Sequence, residues 1–231
     1  MNMESYMQLY KLNKTVLSIQ NNPVPFLNGL TSNSPDKPQN SFLNIHGRIV
    51  ATFDQIKITD NEFWVVLERL FIDSLLSHLD RHIKLSKVEV KRLDKHVYFD
   101  LDSSFSHVFA GILTVPQKRG RMIISDQELQ TAVSDEVFTL FRLKNNIPIQ
   151  GIDYRDEFIL NIGGDSFVSF TKGCFLGQEP VSKVHNRSRP SRQLVVKYEN
   201  DCDEELKKKM TSKILDPDTN RVLGFVFIQN T

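Results

Sequence analysis

The sequence predicts an α+β protein. Short runs with apolar residues at alternate positions indicate strands, and longer runs with apolar residues three and four apart indicate helices. The two kinds mix without regular strand–helix–strand alternation, which argues against a doubly wound parallel sheet. With 231 residues and 40% hydrophobic content, the chain can bury a core in one or two domains.

Val16-Leu17-Ser18-Ile19 reads as a strand. Asn22-Pro23 then opens a short helix carrying Phe26, Leu27 and Leu30, with asparagine as cap and proline at the first helical position. Residues 31–41, rich in Ser, Asn and Pro, read as an exposed loop. Ile49, Ala51 and Phe53 alternate into a strand, and Phe63 to Leu67, with Trp64 in the core, form another. Ile72, Leu75, Leu76 and Leu79 predict an amphipathic helix over 69–82. Val88 and Val90, then Val97, Phe99 and Leu101, alternate around Asp94-Lys95, which predicts a hairpin.

Met122 to Ile124 is a further strand. Leu129, Val133, Val137, Leu140 and Phe141 predict a helix ending near Asn145-Asn146, because Pro148 follows. The stretch 147–165 is loop-rich and leads into Phe167-Val168-Ser169-Phe170, read as a strand delivering a cysteine segment. Pro180 marks a short helix over about 180–186. Leu194 to Tyr198 starts a last β unit that ends with Val222 to Ile228.

A net charge of +1 gives no global pull towards nucleic acid or membrane. The run Lys207-Lys208-Lys209 lies among acids and reads as a solvated face. Cys174 and Cys202 are the two cysteines, too few for an iron–sulfur cluster or a structural zinc. His78 and His82 stand four residues apart without a third ligand nearby, which fits a helix surface. No apolar run approaches the roughly 20 residues that span a bilayer, and Met1 to Lys14 has no signal-type apolar core. The expected location is cytoplasmic.

Lys172-Gly173-Cys174-Phe175-Leu176-Gly177-Gln178-Glu179 is the most informative stretch. Lys183, His185, Arg187, Arg189, Arg192 and Lys197 follow, with no acid between Glu179 and Glu199. Two effects there favour thiolate: the positive surroundings and the start of the helix at Pro180. The opposing reading makes Cys174 a small buried residue in a tight turn and the arginines a solvated face. Cys202, between two aspartates, reads as an unreactive surface residue.

Ser169 to Glu179 resembles the K-G-C-[YF]-x-G-Q-E signature of YgfZ-type folate-binding proteins, relatives of the glycine-cleavage T-protein, an aminomethyltransferase. Phe26-Leu27-Asn28-Gly29-Leu30-Thr31-Ser32-Asn33 is similar to the family's F-L-x-G-L-x-T-N-D region, with its Asp lost. Asn44 to Val50, with Gly47-Arg48, resembles the following G-[RK]-I strand. Arg142 to Asp153 resembles R-I-x-x-G-x-P-x-x-x-x-D, with Asn146 in place of glycine. The likeness covers most of residues 15–200.

The resemblance implies a ring of mixed α/β modules with a reduced C-terminal β-barrel-like unit. It divides the chain into a folate-binding domain over 1–190, with an inserted or adjacent module near 54–112, and a small β unit over 191–231. It implies tetrahydrofolate as cofactor. Its partners would be folate and iron–sulfur enzymes or cluster-assembly proteins, with no nucleic acid and no membrane. The expected role is support of iron–sulfur cluster assembly or repair. Cys174 and Lys172 would act on chemistry, while Arg48, Phe138, Arg142, Glu157, Asn161, Gln178, Glu179, Arg187 and Arg192 would hold folate. No metal site is expected.

Three departures bear on activity. T-protein enzymes carry an acid on the strand after the glycine, where this chain has Ala51 and Thr52, with Asp54 the nearest acid. Ile159 occupies a second acid position, and Glu157 shares its face if the segment is extended. Phe175 replaces a commoner tyrosine. Aminomethyl transfer is therefore disfavoured as the main expectation. A one-carbon transferase and a folate-free scaffold remain the alternatives.

Overall fold

Three open antiparallel sheets carry the fold in the computed structural model, which describes residues 8–105 and 110–230. The sequence reading of the first seven residues lies outside these. Strand β1 spans Leu9–Leu12, β2 Lys14–Gln20, β3 Gln39–Leu43, β4 Ile49–Thr59, β5 Glu62–Glu68 and β6 Glu89–Leu93. They are followed by β7 His96–Asp100, β8 Ile112–Pro116, β9 Arg121–Ser125, β10 Arg192–Tyr198, β11 Thr211–Asp216 and β12 Arg221–Gln229. Helices are α1 Pro23–Leu30, α2 Ile72–Ser86, α3 Asp135–Lys144, α4 Gln178–Arg187 and α5 Glu204–Lys209.

The first sheet has the order β3-β4-β5-β2-β6 and the second β1-β7-β9-β8. Strand β2 is buried on both faces from Thr15 to Ile19, so its apolar residues Val16, Leu17 and Ile19 serve two cores. Leu17 and Ile19 face α1 and α2, packing with Phe26, Leu27, Leu75 and Leu79. Val16 faces the second sheet, packing with Val66, Val97, Met122 and Ile124. The chain crosses between the two sheets twice: β1 and β2 are separated by Asn13 alone, and β6 and β7 by Asp94-Lys95.

That second crossing corrects the predicted hairpin. Strand β6 pairs with β2, whereas β7 pairs with β1 and β9. Alternation identifies a strand but is silent about its partner. The stretch 31–41 is an exposed loop only at its tip, residues 36–38. Thr31, Ser32, Asn33, Asn40 and Ser41 are buried, and β3 lies at its end. Their polar groups satisfy one another: Asn40 Nδ2 donates to Thr31 Oγ1 and to the Asn33 carbonyl, each at 2.9 Å.

Helix α3 begins at Asp135, later than its apolar spacing suggests, because Ser134 caps it by accepting from the Val137 N–H. Asn146, standing where the resemblance has glycine, adopts φ 53°, a left-handed conformation that asparagine tolerates. The segment 167–170 contains no strand. Cys202 is buried with Met210 and Val226 and is not a surface residue.

The C-terminal unit is also corrected. Strands β10, β12 and β11 form a three-stranded sheet whose outer strands are both edges, so the expected barrel-like closure is absent. This sheet packs on α3 and α4 through Leu143, Val181, Leu194, Leu223 and Phe225. A buried ion pair pins it there. Arg142 Nη1 donates to Asp153 Oδ2 at 2.7 Å, and the two side chains are 3% and 0% exposed. Asp153 also accepts from Ile149 N at 2.8 Å, from Thr211 Oγ1 at 2.9 Å and from the Ser212 hydroxyl. Arg142 Nη2 donates to Ser212 Oγ at 2.9 Å.

Asp153→Ala leaves the Arg142 charge buried without its carboxylate. Urea unfolding should register a loss of roughly 3–5 kcal/mol; a loss below about 1 kcal/mol, the value of an exposed pair, would show that the cluster does not hold the unit.

Candidate functional site

A cavity of about 100 Å³ lies where the first two sheets, α3 and the 147–154 loop meet. Its apolar lining includes Phe99, Met122 and Phe138, and its polar lining Thr52, Gln150 and Tyr154. Phe138 is the predicted aromatic ligand, but its ring is 5% exposed, stacked on Tyr10 at 4.0 Å and tilted against Phe99 at 5.6 Å. Burial and a hydrogen bond to Asp135 push the Tyr10 hydroxyl up to about 12. Arg142 also borders the cavity, with its guanidinium engaged by Asp153, Ser212 and the Ile147 carbonyl.

Three further charged side chains line the cavity, Lys14, Asp54 and Glu68. Lys14 Nζ lies 3.0 Å from Asp54 Oδ2 and 3.7 Å from Glu68 Oε1. Burial works against the Lys14 ammonium, yet the two carboxylates outweigh it and hold it above the usual lysine range. Burial also lifts Glu68 above the usual carboxylate range, against the pull of Lys14. Tyr154 is raised by burial too, while Thr52 Oγ1 shares a 2.8 Å hydrogen bond with its hydroxyl.

Sequence reasoning missed Lys14 and Glu68. They face each other across β2 and β5, a register partnership that no local pattern announces. Asp54 was visible as the nearest acid on β4. Its position two residues after Thr52 puts both on the same strand face, and both line the cavity.

The cysteine segment forms a turn ahead of α4. Lys172 Nζ donates to the carbonyls of Thr31 at 2.7 Å and Asn33 at 2.9 Å, and burial lowers its pKa to about 8. The Leu176 N–H donates to the Gly29 carbonyl at 3.0 Å, and Phe175 is buried in the core beside Val181. Gly177 adopts φ +82°, and a Cβ there would lie 2.3 Å from the Asn44 carbonyl oxygen. Ser32 Oγ donates to the Phe167 carbonyl at 2.6 Å, and Asn33 Nδ2 to the Ser166 carbonyl at 3.0 Å. The two sequence motifs are thus laced together. Between these anchors Cys174 is exposed, and it belongs to the lining of neither the cavity nor the cleft described next.

A separate open cleft gathers Arg48, Glu157, Asn161 and Arg192 with His46 and Arg189. Arg192 pairs with Glu157, which also accepts from Asn161 Nδ2 at 3.0 Å. Arg48 Nη1 donates to the Asp156 carbonyl at 2.9 Å. Ile159–Ile162 is a 3-10 turn, so Glu157 and Ile159 do not share the face of an extended strand. Gln178 and Glu179 open α4, and Arg187 is exposed at its end. The predicted site residues therefore divide among cavity, turn and cleft, with Arg187 apart from all three at the end of α4. Among the described residues no cluster of His, Cys, Asp and Glu could hold a metal ion, and no helix is long and apolar enough to cross a membrane.

No family model matches the chain. An uncharacterized protein of Haemophilus influenzae is 22% identical over 157 residues, covering 65% of this chain and 56% of that protein. The match thus spans little more than half of the relative's length. Among solved structures, the glycine cleavage system aminomethyltransferase T of Bartonella henselae superposes with a TM-score of 0.72 at 12% identity. That superposition covers 96% of this chain and 78% of the other. The chain has the fold of that enzyme, together with a weak sequence likeness to the relative.

The two glycines of the motif should respond differently to alanine. Gly177→Ala meets both a strained φ and the Asn44 carbonyl, and should lower the melting temperature by several degrees, as expected for ~1–3 kcal/mol of strain. Gly173→Ala meets nothing within 4 Å and should melt within about a degree of the parent. Equal melting of the two variants would contradict the packing described for the turn.

Proposed function

We propose that this chain binds a reduced folate in its central cavity and serves one-carbon transfer of the aminomethyl type. The observation that carries this reading is the Asp54 carboxylate on the cavity wall. The family's strand acid is missing at Ala51 and Thr52, and Asp54 supplies one two residues later on the cavity-lining face. The donor set fits the cofactor: buried carboxylates and the Thr52 and Tyr154 hydroxyls suit a nitrogen-rich ring, and Phe99 and Met122 suit its flat face. Tetrahydrofolate, when bound, supplies the nitrogens that carry a one-carbon unit. Asp54 would oppose positive charge developing there, a fixed electrostatic partner needing no reorganisation. Lys14 compensates that carboxylate before the ligand arrives.

In this reading Phe138 and Arg142 shape the cavity, while Arg48, Arg187 and Arg192 meet the carboxylate tail of folate. Glu157 and Asn161 orient Arg192, and Gln178 and Glu179 position the turn. The fold similarity supports the reading by making one-carbon chemistry compatible with this architecture.

The exposed thiol of Cys174 favours a second reading, a folate-binding accessory of iron–sulfur enzymes in which Cys174 and Lys172 serve the partner. Calorimetry with tetrahydrofolate should give saturable heat, and Asp54→Asn should keep binding within about tenfold while losing methylene transfer by ~100-fold or more. No heat at near-millimolar ligand would overturn both readings. Binding without any transfer in the parent protein would leave the accessory role.

A further inference from the structure

Asp100, at the end of β7, is a buried carboxyl that the cavity, the cysteine turn and the arginine cleft leave unused. Its Oδ2 accepts from the Phe105 N–H at 2.9 Å, while its Oδ1 is buried without a hydrogen-bond partner. A carboxylate oxygen in that state loses its hydration and gains nothing in return. Arg121 is the register partner on β9, yet its Nη1 donates to the Phe105 carbonyl at 3.1 Å. On β1 the partner is the uncharged Leu9. Tyr98, two residues back on the same strand face, accepts from the Leu129 N–H at its hydroxyl, at 2.8 Å. Lys118 and Arg119 occupy the β8–β9 turn, and among the described residues neither they nor Arg121 form an ion pair with Asp100 or Asp102. The charged side chain that bears on Asp100 is Asp102, within hydrogen-bond reach of it.

Two carboxyl groups in contact, one of them with a stranded oxygen, call for a proton between them. We propose that Asp100 holds a proton on Oδ1 and donates it to Asp102, and that this acid pair is a pH-sensitive clasp on the 100–105 turn. Burial raises Asp100 above the usual aspartate range, opposed by the Phe105 N–H and reinforced by Asp102. Desolvation works against the Asp102 charge too, yet donation from the Ser104 hydroxyl and from Asp100 holds that carboxyl below the usual range. The clasp secures Phe105, which packs with Leu9, Tyr98 and Ile123. Asp102 also accepts from the Ser104 N–H at 3.1 Å, and between them Ser103 is held at φ 60°, a costly left-handed conformation.

Raising the pH sends the shared proton to water and sets two negative charges face to face. Asp102 is exposed, so it swings into solvent and loosens the turn. A raised Asp100 contributes stability that is complete below the ordinary aspartate range and is lost as pH rises through its own value. A lowered Asp102 contributes stability present above that range and lost as pH falls through its value. The clasp is therefore closed between the two values. It operates whether or not the cavity takes folate.

Carboxyl carbon NMR of the full chain, titrated from about pH 2 to about pH 9, should give Asp100 a midpoint above the usual aspartate range and Asp102 one below it. Asp102→Asn removes the neighbouring charge, and the Asp100 midpoint should fall by roughly 0.5–1 pH unit. Asp100→Asn puts an amide where the protonated carboxyl stands: its carbonyl still accepts from Phe105 and its NH2 still donates to Asp102. That variant should melt with the parent at about pH 4 and ~2–4 °C above it at about pH 8. Amide exchange reads the clasp itself, since protection of the Phe105 N–H should fall as the parent passes the Asp100 midpoint. Ordinary midpoints for both carboxyls, or an Asp100 midpoint unmoved in Asp102→Asn, would overturn the shared proton. A melting difference equal at both pH values, or constant Phe105 protection, would overturn the clasp. Should Asp100→Asn fail to fold, the titration and exchange of the parent chain decide alone.

Discussion

The Arg142–Asp153 pair is the constraint on which the architecture turns. It joins α3, the loop after it and strand β11, so helix, loop and C-terminal sheet take one relative position. Asp153 accepts from the backbone, two hydroxyls and the guanidinium, which leaves little of its charge uncompensated. Because α3 and the 147–154 loop also wall the cavity, the same pair sets the cavity's shape. Arginine suits this position better than lysine, since its planar fork reaches Asp153, Ser212 and the Ile147 carbonyl together.

The cysteine motif combines structural and chemical residues. Lys172, Phe175, Leu176 and Gly177 are engaged by backbone carbonyls or core packing, and together they bind the turn to the 26–33 segment and to the β3–β4 connection. Gly173 and Cys174 carry no such duty. Lysine at the first of these places was read from the sequence as a neighbour that activates the thiol. Two of its three donors instead hold carbonyls, so the positive charge next to Cys174 is partly spent on the fold. The thiol itself is displayed on the surface, apart from both the cavity and the arginine cleft.

Elements governed by local patterning were legible in the sequence. Strands β2, β4 and β5 and helices α1, α2 and α4 all lie where alternation, helical spacing and proline placed them. What local patterning cannot carry is pairing. The Val88–Leu101 region has the alternation of a hairpin, yet its halves pair in different sheets, β6 with β2 and β7 with β9, while Leu93 and Val97 still pack in one apolar layer. Residues 31–41 have loop composition, and hydrogen bonds among Asn33, Asn40 and Ser41 and to the carbonyls of Ser166 and Phe167 make the burial of their ends tolerable. The candidate site divides in the same way. The motif around Cys174 announces itself in one dimension, whereas Lys14 and Glu68 become neighbours only through the β2–β5 register.

The central claim is that the cavity, and not the arginine cleft or the cysteine turn, receives the ring of a reduced folate. Two methionines report on this directly: Met122 borders the cavity, while Met210 packs with Cys202 and Val226 in the C-terminal unit. With methyl-labelled methionine, titration of tetrahydrofolate followed by NMR should shift the Met122 methyl resonance, through ring current from a bound heterocycle, and leave Met210 in place. A saturable binding isotherm with an unmoved Met122 methyl would put the ligand elsewhere and contradict the account.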